Sequence, residues 1–296
     1  ELPPVDERLP ENPVVVTPVD SIGKFGGEWT SGTVETNGND IRRNIGYYQL
    51  VQFAWDWNGV VPGVCESWTA SEDAREYTFI LKKGLKWSDG EPFTADDVRF
   101  TWEWVMDDEN AAPLQALWAS IADVEVVDDL TAIVHYDEPN PTWADAFTGM
   151  GSTVVYPRHI LDGGGQEAND AFRLNPIGTG PYIVESFSPN DQVTYVINEN
   201  YREPNKPFFS SVQIKGGGDA AAAARAVLQT GEFDFAWKLQ VEPDLLDSMV
   251  AEDAPGVLMQ YPGVAVERLN FQFAHPWTEH EGQRAHKDTQ HPFQSD

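Results

Sequence analysis

Apolar and polar residues alternate along the segment 77–82, which places Tyr77, Phe79 and Leu81 on one face. A period of two is typical of a β-strand with one buried face. A tight turn is predicted at Ser88-Asp89-Gly90, because Gly90 adopts a positive φ without strain. The segment therefore predicts a strand followed by a turn.

After this turn the apolar period becomes helical. Thr94 is predicted to cap a helix, with Asp96 and Asp97 in the first turn, where carboxylates face exposed N–H groups. An apolar face at i, i+4 and i+7 is formed by Val98, Trp102 and Val105.

Similar patterns predict the remaining elements. Strands are predicted at 28–35, 124–127, 131–136, 182–187, 192–198, 212–215, 233–237, 257–260 and 264–273. Helices are predicted at 41–57, 111–121, 219–230 and 242–250, and a loop at 163–165. Hairpins mixed with strand–helix–strand units favour an α/β fold with a mixed sheet.

The charge of the chain excludes several classes of partner. The 296 residues contain 48 acidic and 19 basic side chains, a formal net charge of −29. Nucleic acids and anionic membrane surfaces would be repelled. Neutral or cationic ligands are favoured, and such a surface is typical of a salt-adapted or secreted protein.

Candidate chemistry is sparse. Cys65 is the one cysteine, and its apolar neighbours predict a buried side chain rather than a reactive thiol. Four histidines near the end have spacings that fit neither a helical pair nor a zinc finger: His275, His280, His286 and His291. No metal site, cofactor or enzyme signature is predicted.

The order of motifs along the chain is the most specific signal. The signature region spans 62–105, and it is followed by Gly178–Tyr182, Asn198–Tyr201 with Lys206-Pro207, Asp219–Asp234 and Leu269–Phe271. This ordered set resembles the family 5 extracellular solute-binding proteins of ABC importers, the oligopeptide- and dipeptide-binding class.

The resemblance implies a two-lobe fold like that of periplasmic binding proteins (class II, cluster C type), here mainly the first lobe. Residues 1–55 and 177–268 would form the core of that lobe, with 56–176 as an inserted subdomain. Residues 269–296 would cross the hinge, so the second lobe is expected to be absent from this chain.

The resemblance also implies a function without catalysis. The protein would be an extracytoplasmic monomer, with a lipid anchor in its unprocessed form, that passes an oligopeptide to permease subunits. An oligosaccharide is the alternative ligand, because eleven tryptophans could stack on sugars, although Trp68, Trp87 and Trp102 are expected in the core. A secreted hydrolase using Glu35 and Asp234, or a structural or chaperone-like surface protein, are the rivals from other classes.

Matching by position implies the candidate ligand-binding residues. They lie at the end of the first strand, at the end of the strand after the alanine-rich helix, on the crossing strand and in one loosely aligned loop: Thr33, Val34, Glu35, Thr36, Trp237, Lys238, Asn270 and Leu114. Glu35 would accept a hydrogen bond from the ligand, and Trp237 would offer a flat apolar face.

Overall fold

The structure is a computed structural model, and it describes residues 24–34, 36, 49–54, 58–110, 112, 115–148, 154–203, 206–236, 239–250, 255–259, 278–280 and 283–284. The chain divides into a large unit, residues 1–258, and a small unit, residues 259–296. In the small unit the described part is a short hairpin.

The strands of the large unit are β1 Glu28–Gly32, β2 Val51–Phe53, β3 Val60–Pro62, β4 Cys65–Ala70, β5 Glu76–Leu81, β6 Ile121–Asp128, β7 Thr131–Tyr136, β8 Tyr182–Ser188, β9 Gln192–Ile197, β10 Ser211–Lys215 and β11 Phe235–Ala236. The hairpin of the small unit consists of β12 Glu279–His280 and β13 Gln283–Arg284. The strands form a five-stranded sheet in the order β11-β1-β10-β9-β8, a four-stranded sheet in the order β4-β5-β7-β6, and the pairs β2-β3 and β12-β13.

The α-helices are α1 Ala95–Met106, α2 Gln115–Trp118, α3 Arg158–Leu161, α4 Gly165–Leu174, α5 Ala220–Arg225 and α6 Pro243–Met249. Short 3₁₀ turns occupy Asp108–Asn110 and Trp143–Ala146, and a π-helical turn, Ala226–Thr230, extends α5. None of the helices in the described part of the chain combines the length and the apolar character that a bilayer crossing requires.

The four-stranded sheet is antiparallel and follows the predicted period of two. Tyr77, Phe79 and Leu81 are buried on β5, whereas the neighbouring Ile80 is 43% exposed. Aromatic rings cover the buried face, since the ring of Phe79 lies 5.1 Å from that of Phe147. The predicted strand at 77–82 is therefore confirmed.

Helix α1 packs on this sheet and begins as predicted at the cap Thr94. The buried carboxylate of Asp97 accepts hydrogen bonds from Thr94 N–H (2.9 Å), from Trp87 Nε1–H (3.2 Å) and from Arg158 N–H (3.0 Å). Burial raises the pKa of Asp97, although these three hydrogen bonds oppose the shift. Asp97 thus joins the turn, helix α1 and helix α3.

The five-stranded sheet is mixed, as the sequence predicts. Strand β1 lies between β10 and β11 and is parallel to both, while β8, β9 and β10 are antiparallel neighbours. The chain leaves β10, forms α5 and returns as β11 on the other side of β1. This strand–helix–strand connection aligns the carboxyl ends of three strands at one edge.

The two sheets share one hydrophobic core. The predicted turn at Ser88–Gly90 joins them, because Ser88 N–H donates to the carbonyl of Gly178 at 2.9 Å and Asn200 Nδ2 donates to the carbonyl of Ser88 at 3.3 Å. Gly90 has a φ of 95°, as expected for this turn. Trp87 is fully buried, and Trp68 and Trp102 pack against the core, so these tryptophans are scaffold residues as predicted.

Several local predictions differ from the structure. The helix predicted at 41–57 is wrong at Val51–Phe53, which pairs as β2 with β3. Strand β4 was not predicted, and its bulge between Cys65 and Ser67 breaks the period of two. Of the helix predicted at 111–121, the described part is helical only at Gln115–Trp118, since Ile121 begins β6.

The glycine-rich loop predicted at 163–165 is also wrong in part. Helix α4 begins at Gly165 and places Phe172 in the core. The sequence did not predict this helix, because the glycines at its start have no side chain that could cap its first turn. The described residues of the strand predicted at 257–260 are not in a strand. The proposed division into subdomains stays a prediction.

Candidate ligand-binding edge of the five-stranded sheet

The carboxyl ends of β1, β10 and β11 define the candidate site. Gly32 pairs with Lys215 on β10 and with Ala236 on β11, so the three strands end at the same level. In open α/β sheets, ligands bind beyond the carboxyl ends of parallel strands, because loops there present side chains and backbone groups together. We call this region the carboxyl edge.

The continuation of β1 across this edge is held by backbone hydrogen bonds. Thr33 N–H donates to the carbonyl of Lys215 at 2.8 Å, and the carbonyl of Val34 accepts from Gly217 N–H at 2.9 Å. Gly217 has a φ of 78°, and a Cβ there would lie 2.5 Å from the carbonyl oxygen of Asn190. Only glycine fits this close approach between the β10 loop and the β8–β9 turn.

Three of the predicted ligand-binding residues lie within the described residues. Thr33 is half-buried, and Val34 is 43% exposed. Thr36 is fully buried, and its hydroxyl donates to the carbonyl of Ser188 at 3.3 Å. Thr36 therefore anchors the segment to the β8–β9 turn, whereas Val34 presents an apolar surface at the edge.

The other candidates lie outside the described residues. They are Glu35, Leu114, Trp237, Lys238 and Asn270. Their roles, like those of Thr33, Val34 and Thr36, stay predictions.

A hydrogen-bonded clasp joins β1 to the start of β11, and the sequence did not reveal it. Thr30 N–H and Oγ1–H both donate to Asp234 Oδ2, at 2.7 and 2.9 Å. In return, Asp234 N–H approaches the carbonyl of Thr30 at 3.0 Å and Thr30 Oγ1 at 3.2 Å. The Thr30–Asp234 clasp fixes the chain just before it reaches the carboxyl edge.

Close packing of β1 against helix α5 also places the edge. A Cβ at Gly32 would lie 2.5 Å from the ring of Phe233 and 3.3 Å from Cβ of Ala223. Helix α5 begins as predicted, since Asp219 accepts a hydrogen bond from Ala222 N–H at 2.8 Å. It ends at Gly231, whose φ is 67°.

The charges at the edge are few and partly paired. Lys215 Nζ lies 3.9 Å from Glu232 Oε1 and 5.8 Å from the centre of the Phe233 ring. The Asp234 carboxylate is occupied by Thr30, which leaves it poorly placed for the acid–base role of the hydrolase hypothesis.

A second concavity, of about 410 Å³, lies between α1 and α3. Several of its polar groups already have partners: Arg158 contacts Asp96 (3.5 Å) and Asp162 (3.2 Å), and His159 contacts Asp89 (2.7 Å). These pairs explain the concavity as a junction between helices. Within the described residues, no three histidine, cysteine or acidic side chains group together as metal ligands.

Cys65 is buried in the core, as predicted. Burial raises the pKa of its thiol to about 11, with smaller opposing effects from a hydrogen bond with Gly63 and from Lys82. The thiolate, which is the reactive form, is therefore disfavoured.

Comparison with known proteins identifies the family. Residues 59–285 match the family described as bacterial extracellular solute-binding proteins, family 5 Middle. The match covers more than half of the chain, so the chain belongs to this family. It is a family of solute-binding proteins rather than of enzymes, and its members act in the periplasm or outside the cell.

Relatives and solved structures agree with this assignment. The chain is 28% identical over 227 residues to the probable D,D-dipeptide-binding periplasmic protein DdpA of Escherichia coli (strain K12), covering 75% of this chain and 43% of that protein. The oligopeptide-binding protein OppA superposes with a TM-score of 0.65 at 25% identity, covering 76% of this chain and 40% of that one.

One structural neighbour binds a sugar. The periplasmic binding protein MelB from Agrobacterium fabrum C58, solved with stachyose, superposes with a TM-score of 0.70 at 24% identity, covering 86% of this chain and 44% of that one. These neighbours confirm the predicted fold class. The chain spans less than half the length of the relatives named here.

Proposed function

We propose that this chain forms the first lobe of an extracytoplasmic receptor that captures an oligopeptide and delivers it to the permease of an ABC importer. The observation that carries the proposal is the carboxyl edge, where three parallel strands end at the same level and the apolar side chains of Val34 and Phe235 are exposed. Exposed apolar side chains beside strand ends favour an extended peptide, since strand-like ligands are held by main-chain hydrogen bonds together with contacts to alternate side chains.

The mechanism we propose is a shift between open and closed forms. A peptide that contacts both lobes binds the closed form more tightly, and its binding free energy then populates that form. The permease would recognise the closed form. The proposal includes action as a monomer outside the cytoplasmic membrane, with a lipid anchor in the unprocessed protein.

An oligosaccharide is the second candidate ligand, favoured by the likeness to the stachyose-bound MelB. Indole rings would stack on sugar faces, so Trp237, which follows β11 in the sequence, is the residue whose role would differ between the two ligands. Peptide has the stronger support, because DdpA and OppA are both named for peptide ligands.

The test is thermal unfolding of the full-length gene product with defined tripeptide and oligosaccharide pools. A ligand at 100 times its dissociation constant adds about 2.7 kcal/mol to the free energy of unfolding. A shift with tripeptides alone supports the peptide receptor, and a shift with oligosaccharides alone supports the alternative. Turnover of either pool, measured by mass spectrometry, would overturn the binding-protein proposal.

A further inference from the structure

The strongest feature that ligand binding leaves unexplained is the excess of negative charge. With 48 acidic and 19 basic residues, the net charge is −29, so the basic side chains are too few to neutralise the carboxylates. Mutual repulsion of this size disfavours a compact state, because folding brings the charges closer together.

The carboxyl end of helix α1 shows this repulsion locally. Three consecutive acidic residues, Asp107, Asp108 and Glu109, follow the last turn and are exposed, and that turn contains no basic residue. The end of a helix carries partial negative charge from its unpaired carbonyl groups. Carboxylates there oppose the helix dipole, whereas Asp96 and Asp97 at the other end are favourably placed.

The contacts of these three residues do not neutralise them. Asp107 Oδ1 accepts from Glu109 N–H at 3.0 Å, and Asp108 Oδ1 accepts from Gln115 Nε2 at 3.1 Å. Arg99, on the same helix, is paired with Glu103 at 2.9 Å. Among the described residues, none forms an ion pair with Asp107, Asp108 or Glu109.

The acidic residues at the end of α1 are important for stability because this helix helps to cover the four-stranded sheet. Val98 and Val105 are buried against it, and Val105 lies in the last turn. Fraying of that turn would expose the core. Repulsion at the helix end is therefore coupled to the stability of the whole sheet.

We propose that the folded state of this chain requires concentrated salt, with mobile cations screening the excess of negative charge. The screening length falls from about 10 Å at 0.1 M to about 3 Å at 1 M salt. When the screening length is about 3 Å, the charges of neighbouring surface residues no longer repel one another appreciably. The effect is diffuse screening, and it requires no bound ion.

The experiment is thermal unfolding of this chain, with no ligand added, between 0.1 and 3 M NaCl. Sucrose at matched osmolality is the uncharged control, because excluded solutes stabilise most folded proteins without screening charge. We expect Tm to rise by on the order of 10 °C in NaCl and by much less in sucrose. The result is independent of whether the ligand is a peptide.

A pair of double variants localises the effect. Asp108→Asn with Glu109→Gln removes two charges beyond the carboxyl end of α1, while Glu242→Gln with Asp244→Asn removes two from the amino end of α6. The first should raise Tm at 0.1 M NaCl and flatten its dependence on salt. The second should leave Tm unchanged or lower it, since these carboxylates face favourable N–H groups.

Two outcomes would overturn the proposal. One is a Tm that stays constant or falls as NaCl increases. The other is an equal rise in NaCl and sucrose with an unchanged salt dependence in the α1 variant, which would assign the effect to solute exclusion. A salt dependence that the α1 variant reduces more than the α6 variant supports it.

Discussion

The two sheets of the large unit are built in different ways. In the four-stranded sheet, neighbouring strands are antiparallel, and the largest separation between partners is 59 residues, from Glu76 on β5 to His135 on β7. In the five-stranded sheet, β1 pairs with strands that follow it by some two hundred residues, as the separation of 204 between Thr30 and Asp234 shows. The first sheet is covered by aromatic rings such as those of Phe147 and Trp143, and the second supplies the carboxyl edge.

This difference separates the part of the molecule that contributes most to stability from the part that forms the candidate site. Local pairing is fixed early by the sequence period and by turns, and it forms with a small loss of chain entropy. Parallel pairing over long separations depends on a few specific contacts that hold distant segments together. Changes in the first sheet should therefore affect the free energy of unfolding most, while changes in the second should affect the edge.

The largest effect is expected for Phe79→Ala in the four-stranded sheet. Phe79 is fully buried against Phe147 and Trp143, so truncation leaves a cavity and should lower the free energy of unfolding by about 3–5 kcal/mol. The neighbouring Ile80→Ala is the control, since Ile80 is 43% exposed, and it should cost less than about 1 kcal/mol. Urea denaturation measures both, and equal losses would contradict the assignment of the buried face.

Asp97→Asn should have the next largest effect. The amide has one acceptor oxygen for three N–H donors, and its own NH₂ group faces those donors. The free energy of unfolding should therefore fall by about 2–3 kcal/mol. Asp96→Asn, on the exposed side of the same turn, should cost about 0.5 kcal/mol. A loss as small as that of Asp96→Asn would show that Asp97 does not join the three segments.

The same variant tests the pKa of Asp97. Burial raises the pKa of Asp97 in the folded state above its value in the unfolded state, so Asp97 stays protonated to a higher pH when the protein is folded. The contribution of Asp97 to the free energy of unfolding is therefore fully present at pH values below its pKa in the unfolded state. It declines as pH rises through its pKa in the folded state. The free energy of unfolding of wild type should therefore fall relative to that of Asp97→Asn as pH rises above the ordinary pKa of an aspartate, and a difference that stays constant with pH would contradict the raised pKa.

Gly32→Ala tests how the five-stranded sheet holds β11 beside β1. The new Cβ would meet the Phe233 ring at 2.5 Å, so we expect a loss of about 2 kcal/mol and a displacement of β11 from β1. Gly218→Ala is the control, because a Cβ there has nothing within 4 Å. Hydrogen exchange of the segment 231–236 should increase in the first variant only.

The smallest effect on stability is expected for Asp234→Asn, which weakens the Thr30–Asp234 clasp. Thr30 N–H and Oγ1–H would lose their charged acceptor, but the site is exposed. The free energy of unfolding should therefore fall by about 1 kcal/mol. Glu185→Gln removes an exposed charge from the same sheet and is the control. If the clasp places the edge, ligand affinity should fall more than stability does, and unchanged affinity would count against this role.

The sequence alone determined the β5–turn–α1 unit, the α/β class and the family. These follow from patterns within a few turns of chain: the period of two, the glycine of the turn, the cap at Thr94 and the order of motifs. Each is set by backbone preferences and local hydrogen bonds, which neighbouring residues express wherever the segment lies.

The contacts that hold the candidate site depend on tertiary packing. The pairing of Thr30 with Asp234, the contact that keeps position 32 a glycine, and the burial of Thr36 under the β8–β9 turn involve partners far apart along the chain. The helix expected at 41–57 became a strand at Val51–Phe53 through pairing with β3. A pairing partner supplies hydrogen bonds and burial that local preference does not encode, and for this reason the sequence did not predict these features.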